Sequence, residues 1–239
     1  MADEAQKTVG AGSFQINRDR YLRMIDGMIY GDDPKQGYVE NNVFYHPEFK
    51  FQFPIPAGWQ TVNSPSQVQM ASGDGKALMI LTLTQANSLQ AAADTIVRRY
   101  NLTVVERKSQ TLNGMPALAM VADQTNEQTG QVIRLLTYLI SYRNMIFTFH
   151  GVSELADFDK QVPHFNQTMR NFKVLNDAAK INKKPQRISI KSASKNATLQ
   201  SLLQDSKISG ELMKEHALIN GMDLGQTITK GSLYKIITK

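Results

Sequence analysis

Cysteine is absent from the 239 residues, so neither a disulfide framework nor a thiolate metal site can form. Long apolar runs are missing too. Stretches such as Ala77–Leu81 fall far short of the roughly 18 residues that a membrane span needs. The opening MADEAQKTVGAGS has no apolar core of the kind a secretory signal requires, so an export signal, if the protein is exported, is expected upstream of it. Histidine is scarce. The four histidines precede Pro47, Gly151, Phe165 and Ala217, and no two are four residues apart, which excludes the H-E-x-x-H helix of zinc proteases. No G-x-S-x-G elbow and no G-x-x-x-x-G-K-[ST] phosphate loop occurs, and nothing assembles a nucleophile, a base and an oxyanion site.

What is present suits a globular chain of one large or two ordinary domains. Apolar residues make up 41%, well above disordered composition. Charge is uneven: residues 1–175 hold 16 Lys/Arg and 16 Asp/Glu, whereas residues 176–239 hold 11 and 5, which accounts for the net charge of +6. Lys180, Lys183, Lys184, Arg187, Lys191 and Lys195 cluster there. Single-stranded nucleic acid would also need stacking aromatics, and the tail has only Tyr234, so nucleic acid is not expected as a partner. Peptidoglycan and anionic surfaces are compatible with the charge, as is an ordinary solvated linker.

Periodicity predicts an α+β chain. Residues 1–47 read as a lead-in and a connecting helix, N-capped by Asn17 and stopped at Gly31, with Tyr21, Leu22, Ile25, Met28 and Ile29 on one docking face. Residues 48–175 read as one domain. Phe49, Phe51 and Phe53 alternate as in a strand, and Gly73-Asp74-Gly75 turns a hairpin. Ser88 caps a helix, and Asn113-Gly114 and Arg143-Asn144 turn two further hairpins. A closing helix carries Leu155, Phe158, Val162, Phe165, Met169 and Phe172, with Pro163 as a kink or a start. The order predicts an antiparallel sheet with helices packed against it. Residues 176–187 read as a linker, and residues 188–239 as a small β-α-α-β unit. Such a unit is marginal alone and is expected to dock on the larger domain.

Three resemblances follow from these residues. Ile25-Asp26-Gly27, Tyr30-Gly31-Asp32, Pro34, Gly37-Tyr38-Val39, Phe44-Tyr45-His46-Pro47 and Pro56-Ala57-Gly58-Trp59 resemble the segment that follows the catalytic domain in periplasmic zinc metalloproteases of the BepA/HtpX-like kind. The Phe51–Trp59 pattern and Asn171-Phe172-Lys173-Val174-Leu175 are similar to the PsbP-like fold. Ile190, Asn196-Ala197-Thr198-Leu199-Gln200-Ser201-Leu202, Leu218-Ile219-Asn220-Gly221-Met222, Ile228, Gly231 and Ile236 resemble a LysM domain, without its usual Gly-Asp before Thr-Leu. Together they imply a non-catalytic accessory region, periplasmic or envelope-associated, whose zinc resides in a separate catalytic domain that would be its partner in cis or in trans. They also imply a peptidoglycan site at Asn196, Ala197, Thr198, Leu199, Asn220, Gly221 and Met222. The alternatives are a structural module that packs on the protease domain and a free-standing exported binding protein.

Other residues carry competing readings. His46 is a hydrogen-bonded turn histidine or a ligand. His150 and His164 could approach each other, and Asp32, Asp33, Glu40 and Glu48 lie near His46 in sequence, where a solvated loop is the preferred reading over a metal site. Gly10-Ala11-Gly12 and Gly73-Asp74-Gly75-Lys76 read as flexible turns, and Trp59 as core.

Overall fold

Asn17 accepts from the Arg20 amide at 3.3 Å through Oδ1 and so opens α1 (Arg18–Met24). The expected helix ends there, one and a half turns earlier than its apolar spacing suggests. Gly27 has φ +81, and residues 26–30 continue in extended form beside residues 186–190. In this computed structural model, which describes residues 17–238, the chain forms two compact units: residues 34–183, and residues up to 33 combined with 184–239. The lead-in over 1–16, Gly10-Ala11-Gly12 included, lies outside the described residues.

In the larger unit, β1 (Tyr38–Glu40), β2 (Val43–His46) and β3 (Phe51–Pro54) form an antiparallel meander. A longer series follows: β4 (Gln60–Ser64), β5 (Gln67–Ala71), β6 (Ala77–Thr84), α2 (Leu89–Arg99), β7 (Thr103–Leu112), β8 (Met115–Thr125), β9 (Val132–Tyr142) and β10 (Met145–Glu154). After these come α3 (Leu155–Met169) and β11 (Lys173–Val174), which pairs with β3. The single sheet expected is therefore two: four strands in the order β1-β2-β3-β11, and seven in the order β4-β5-β6-β10-β9-β8-β7. Asn113-Gly114 and Arg143-Asn144 take positive φ at every position, as two-residue hairpins between right-twisted strands require. Ser88 Oγ accepts from the Ala91 amide and starts α2.

Both faces of the large sheet are covered. Leu136, Tyr138, Ile140, Phe147 and Phe149 join Phe44, Phe51 and Phe53 of the small sheet and Phe165 and Met169 of α3 in one core. On the other face Leu135, Leu139 and Ile146 pack with Ala92, Ala93 and Ile96 of α2. That double coverage explains why β9 is buried almost without alternation. Gly151 lets α3 lie close, because a Cβ there would stand 2.6 Å from Phe165 Cγ. Pro163 sits inside α3 without ending it. Trp59 is half-buried at the edge of the same core. Residues 176–183, read as linker, hold the short helix α4 (Ala178–Ile181) and belong to this unit: the Lys180 carbonyl accepts from Tyr38 Oη at 3.0 Å.

The smaller unit runs β12 (Arg187–Ser192), β13 (Ala197–Thr198), α5 (Leu199–Asp205), α6 (Met213–Asn220), β14 (Thr227–Ile228) and β15 (Leu233–Thr238). β12 pairs antiparallel with β15, giving the β-α-α-β order around Leu199, Leu202, Leu203, Met213, Tyr234 and Ile236. Residues 26–30 add a third strand on the free edge of β12. Gly27 N donates to Ile188 O, Ile188 N to Met28 O and Tyr30 N to Gln186 O, each at 2.8 Å. Ile190 N donates to the Asp26 carboxylate at 2.9 Å. Leu22 is buried, and the Arg18 guanidinium donates to Leu233 O at 2.8 Å. The first described residues thus complete a unit that would otherwise expose an unpaired strand edge.

Candidate functional site

The expected binding residues fall at the ends of β12, α5 and α6. Asn196 is exposed and accepts from the Lys230 amide at 2.7 Å, fixing the loop before β13. Ala197 and Thr198 pair with Ile228 and Thr227. The Thr198 hydroxyl caps α5 by accepting from the Ser201 amide, and Leu199 is fully buried. Leu199 N donates to Gln226 O at 3.0 Å and Gln200 N to Leu224 O at 2.9 Å, so the stretch 196–200 is bound edge to edge with 224–230.

The second stretch behaves differently. Asn220 is spent on structure: Nδ2 donates to the His216 and Lys235 carbonyls and Oδ1 accepts from Lys235 N, all at 2.8 Å. Gly221 is the left-handed cap of α6 at φ +62. Met222 folds back to pack on the same small core as Ala197. Asn196–Leu199 and Met222 therefore flank one end of the unit, joined by a backbone that carries Asp223, Gly225 and Gln226 at its exposed surface. His216 anchors the helix that carries Asn220. Its buried ring donates from Nδ1 to Leu212 O and accepts at Nε2 from Ile237 N at 3.0 Å, which ties α6 to β15.

The docking-face residues split between helix and strand. Leu22 is buried and Ile25 half-buried, whereas Tyr21, Met28 and Ile29 are exposed, Met28 and Ile29 on the added strand. Tyr30 faces inward and donates from Oη to Glu215 at 2.9 Å. That carboxylate is the main cause of a raised phenol pKa, with burial second.

The basic cluster is largely engaged. Lys180 and Lys183 both pair with Glu40, whose carboxyl they hold down to about 2, and they lie over the Tyr45 and Tyr38 rings at 5.3 and 4.0 Å. Arg187 donates to Gly27 O, and Lys195 pairs with Asp205. Phosphate-like ligands would have to compete with these partners.

Neither histidine idea produces a metal site. Along β10, Phe147, Phe149 and Gly151 face α3, and the alternating His150 faces α2, beside Tyr100 and 3.0 Å from Thr137 Oγ1. His164 lies on α3 against Trp59 at 6.1 Å, on the other side of the sheet. Glu40 is committed to lysines. Among the described residues no group of three or more His, Cys, Asp or Glu side chains stands in metal-holding range.

No protein-family model matches the sequence, and no curated protein is similar to it. Among solved structures it is similar to the cyanobacterial PsbP protein of a Synechocystis species, at 14% identity and a TM-score of 0.43, with 55% of this chain and 91% of that one covered. The Saccharomyces cerevisiae Ran-binding protein Mog1p is similar at 10% identity and 0.45, over 58% of this chain and 97% of that one. LpqN of Mycobacterium tuberculosis, involved in cell envelope biogenesis, is similar at 12% and 0.41, over 52% and 83%. Likenesses of this size carry nothing about activity, and the α+β architecture stands on the strands and helices themselves.

Proposed function

We propose that this chain is a non-catalytic binding region associated with a zinc metalloprotease of the cell envelope, and that its β-α-α-β unit attaches it to peptidoglycan. The observation that supports this best is the pair of backbone bonds from Leu199 and Gln200 to Gln226 and Leu224. They hold the stretch 196–200 edge to edge with 224–230 at one end of the unit, and the LysM resemblance implies that glycan is met largely by loop backbone groups there. Zinc and its general base would belong to a separate protease domain, because no H-E-x-x-H occurs here. The setting is then periplasmic or at the envelope. Co-sedimentation of the full chain with purified peptidoglycan sacculi tests the attachment. Retention at low salt is expected, and Gly225→Glu should abolish it, since that position has open space and ordinary φ. A wild-type chain that stays in the supernatant at low salt overturns the proposal.

A second reading, docking on the protease domain, is supported by the apolar side chains left exposed on the first described residues. Tyr21 is 59% exposed, Met24 72% and Met28 52%. Under this reading Met24→Glu with Met28→Glu weakens association with a protease domain and leaves sacculus retention intact.

A further inference from the structure

A cavity of about 210 Å³ opens in the larger unit between the turn after β2 and the β4–β5 hairpin. Phe49, Phe51, Val68, Leu81 and Phe147 supply its apolar walls, and His46 lies among them. The sequence dictates this placement. Tyr45-His46-Pro47 ends β2, and the chain turns back through Phe49 into β3, so His46 is clamped between Phe49 and Phe51 with ring centroids 4.5 and 5.0 Å away. The residue is only 9% exposed.

Its hydrogen bonding is one-sided. Nδ1 accepts from the Phe49 amide at 3.3 Å, which places the ring proton on Nε2. Among the described residues Nε2 has no protein partner, and the ring borders the open space of the cavity. Burial keeps the ring neutral by lowering its pKa to about 4. An N–H that reaches this space can donate to a ligand acceptor in place of solvent. No Lys or Arg lines the space, and Glu48 does, which disfavours anions. The volume exceeds the about 150 Å³ of apolar cavities that take up benzene.

We propose that this cavity binds a small neutral molecule with one aromatic ring and one carbonyl acceptor, the ring lying against Phe49, Phe51 and Phe147 and the carbonyl accepting from His46 Nε2–H. The inference rests on the larger unit alone and does not depend on peptidoglycan attachment.

The test is a titration of the full ¹⁵N-labelled chain with acetophenone, with ethylbenzene as the probe lacking an acceptor and benzoate as the charged one. Saturable amide shifts at Phe49, Val68 and Leu81 are expected. Acetophenone should bind about 3- to 10-fold tighter than ethylbenzene, the range of one net hydrogen bond, and benzoate weakest. His46→Phe should bring acetophenone and ethylbenzene to within about twofold of each other. Because that variant also loses the Phe49 bond and could misfold, Leu83→Trp at the half-exposed rim provides a second arm and should weaken both probes about tenfold. Absence of saturable shifts with acetophenone, equal affinity of the wild-type chain for acetophenone and ethylbenzene, or tightest binding of benzoate would each overturn the assignment.

Discussion

Gly27→Pro should release the strand that completes the small unit. Gly27 sits at φ +81, whereas proline is fixed near −65°, and its amide donates to Ile188 O at 2.8 Å. The backbone misfit costs about 3 kcal/mol and the lost hydrogen bond about 1. A loss of about 4 kcal/mol is most of the stability of a marginal domain. The consequence is local before it is global. Ile188 N and Ile190 N find their acceptors at Met28 and Asp26, so their amides should exchange with deuterium up to about three orders of magnitude faster, each 1.4 kcal/mol being tenfold. Alternation along β12 turns the Ser189 and Lys191 amides toward β15, where they are protected by a different pairing. If only the added strand detaches, Ile188 and Ile190 accelerate while Ser189 and Lys191 lag. If the unit depends wholly on that strand, all four accelerate together. Unchanged exchange at Ile188 and Ile190 would refute the reasoning, because it would mean that residues 26–30 do not cover the edge of β12.

Gly151→Ala should destabilise the larger unit by about 1–3 kcal/mol, since the new methyl meets Phe165 and Met169 within 2.8 Å; a thermal midpoint within 1 °C of wild type would contradict that packing. His46 and His150, both lowered to about 4 by burial, are neutral when folded and take up protons more readily when unfolded. Their contribution to stability is therefore full above pH 6.5 and is lost as pH falls toward 4. ¹H NMR titration of their ring protons should give midpoints near 4 in the folded chain, and midpoints near 6.5 would refute burial as the cause. A fragment of residues 34–183 should fold alone, whereas residues 188–239 alone should show little protected helix by circular dichroism and hydrogen exchange; a cooperative melt of the second fragment would contradict the role given to residues 17–30.

Local signals were legible in the sequence, and pairings over distance were not. Asn113-Gly114, Arg143-Asn144 and Ser88 announce turns and a cap through their own backbone preferences, and each lies where its residue type predicts. The α+β class followed from them. β4 carries no such signal, because Gln60–Ser64 is a polar edge strand, half in solvent, with no hydrophobic alternation to mark it. The separation of His150 from His164 was available in principle. Period-two alternation with Phe147, Phe149 and Gly151 puts His150 on the face away from the closing helix. The donor of His46 could not be read at all. Its tautomer depends on the Phe49 amide, and its cavity on a hairpin some twenty residues away.

The stretch from Tyr21 to Phe49, which carries the richest motif, does not belong to one unit. Ile25-Asp26-Gly27 and Tyr30 serve the small sheet through Ile188, Ile190 and Glu215, whereas Gly37, Phe44 and His46 serve the larger unit. Gly37 illustrates the second role: at φ +109 its missing Cβ leaves room for the Phe44 ring, so the glycine is spent on packing and the close approach is not a ligand cradle. The chain crosses from one unit to the other near residue 33 and returns near residue 184, which makes the larger unit an insertion within the smaller. A contiguous motif can therefore encode two separate packing problems. A helical periodicity running from Tyr21 to Ile29 gives no warning of it, because α1 and the added strand both need apolar residues, and the spacing alone cannot say that a distant strand edge claims the second half.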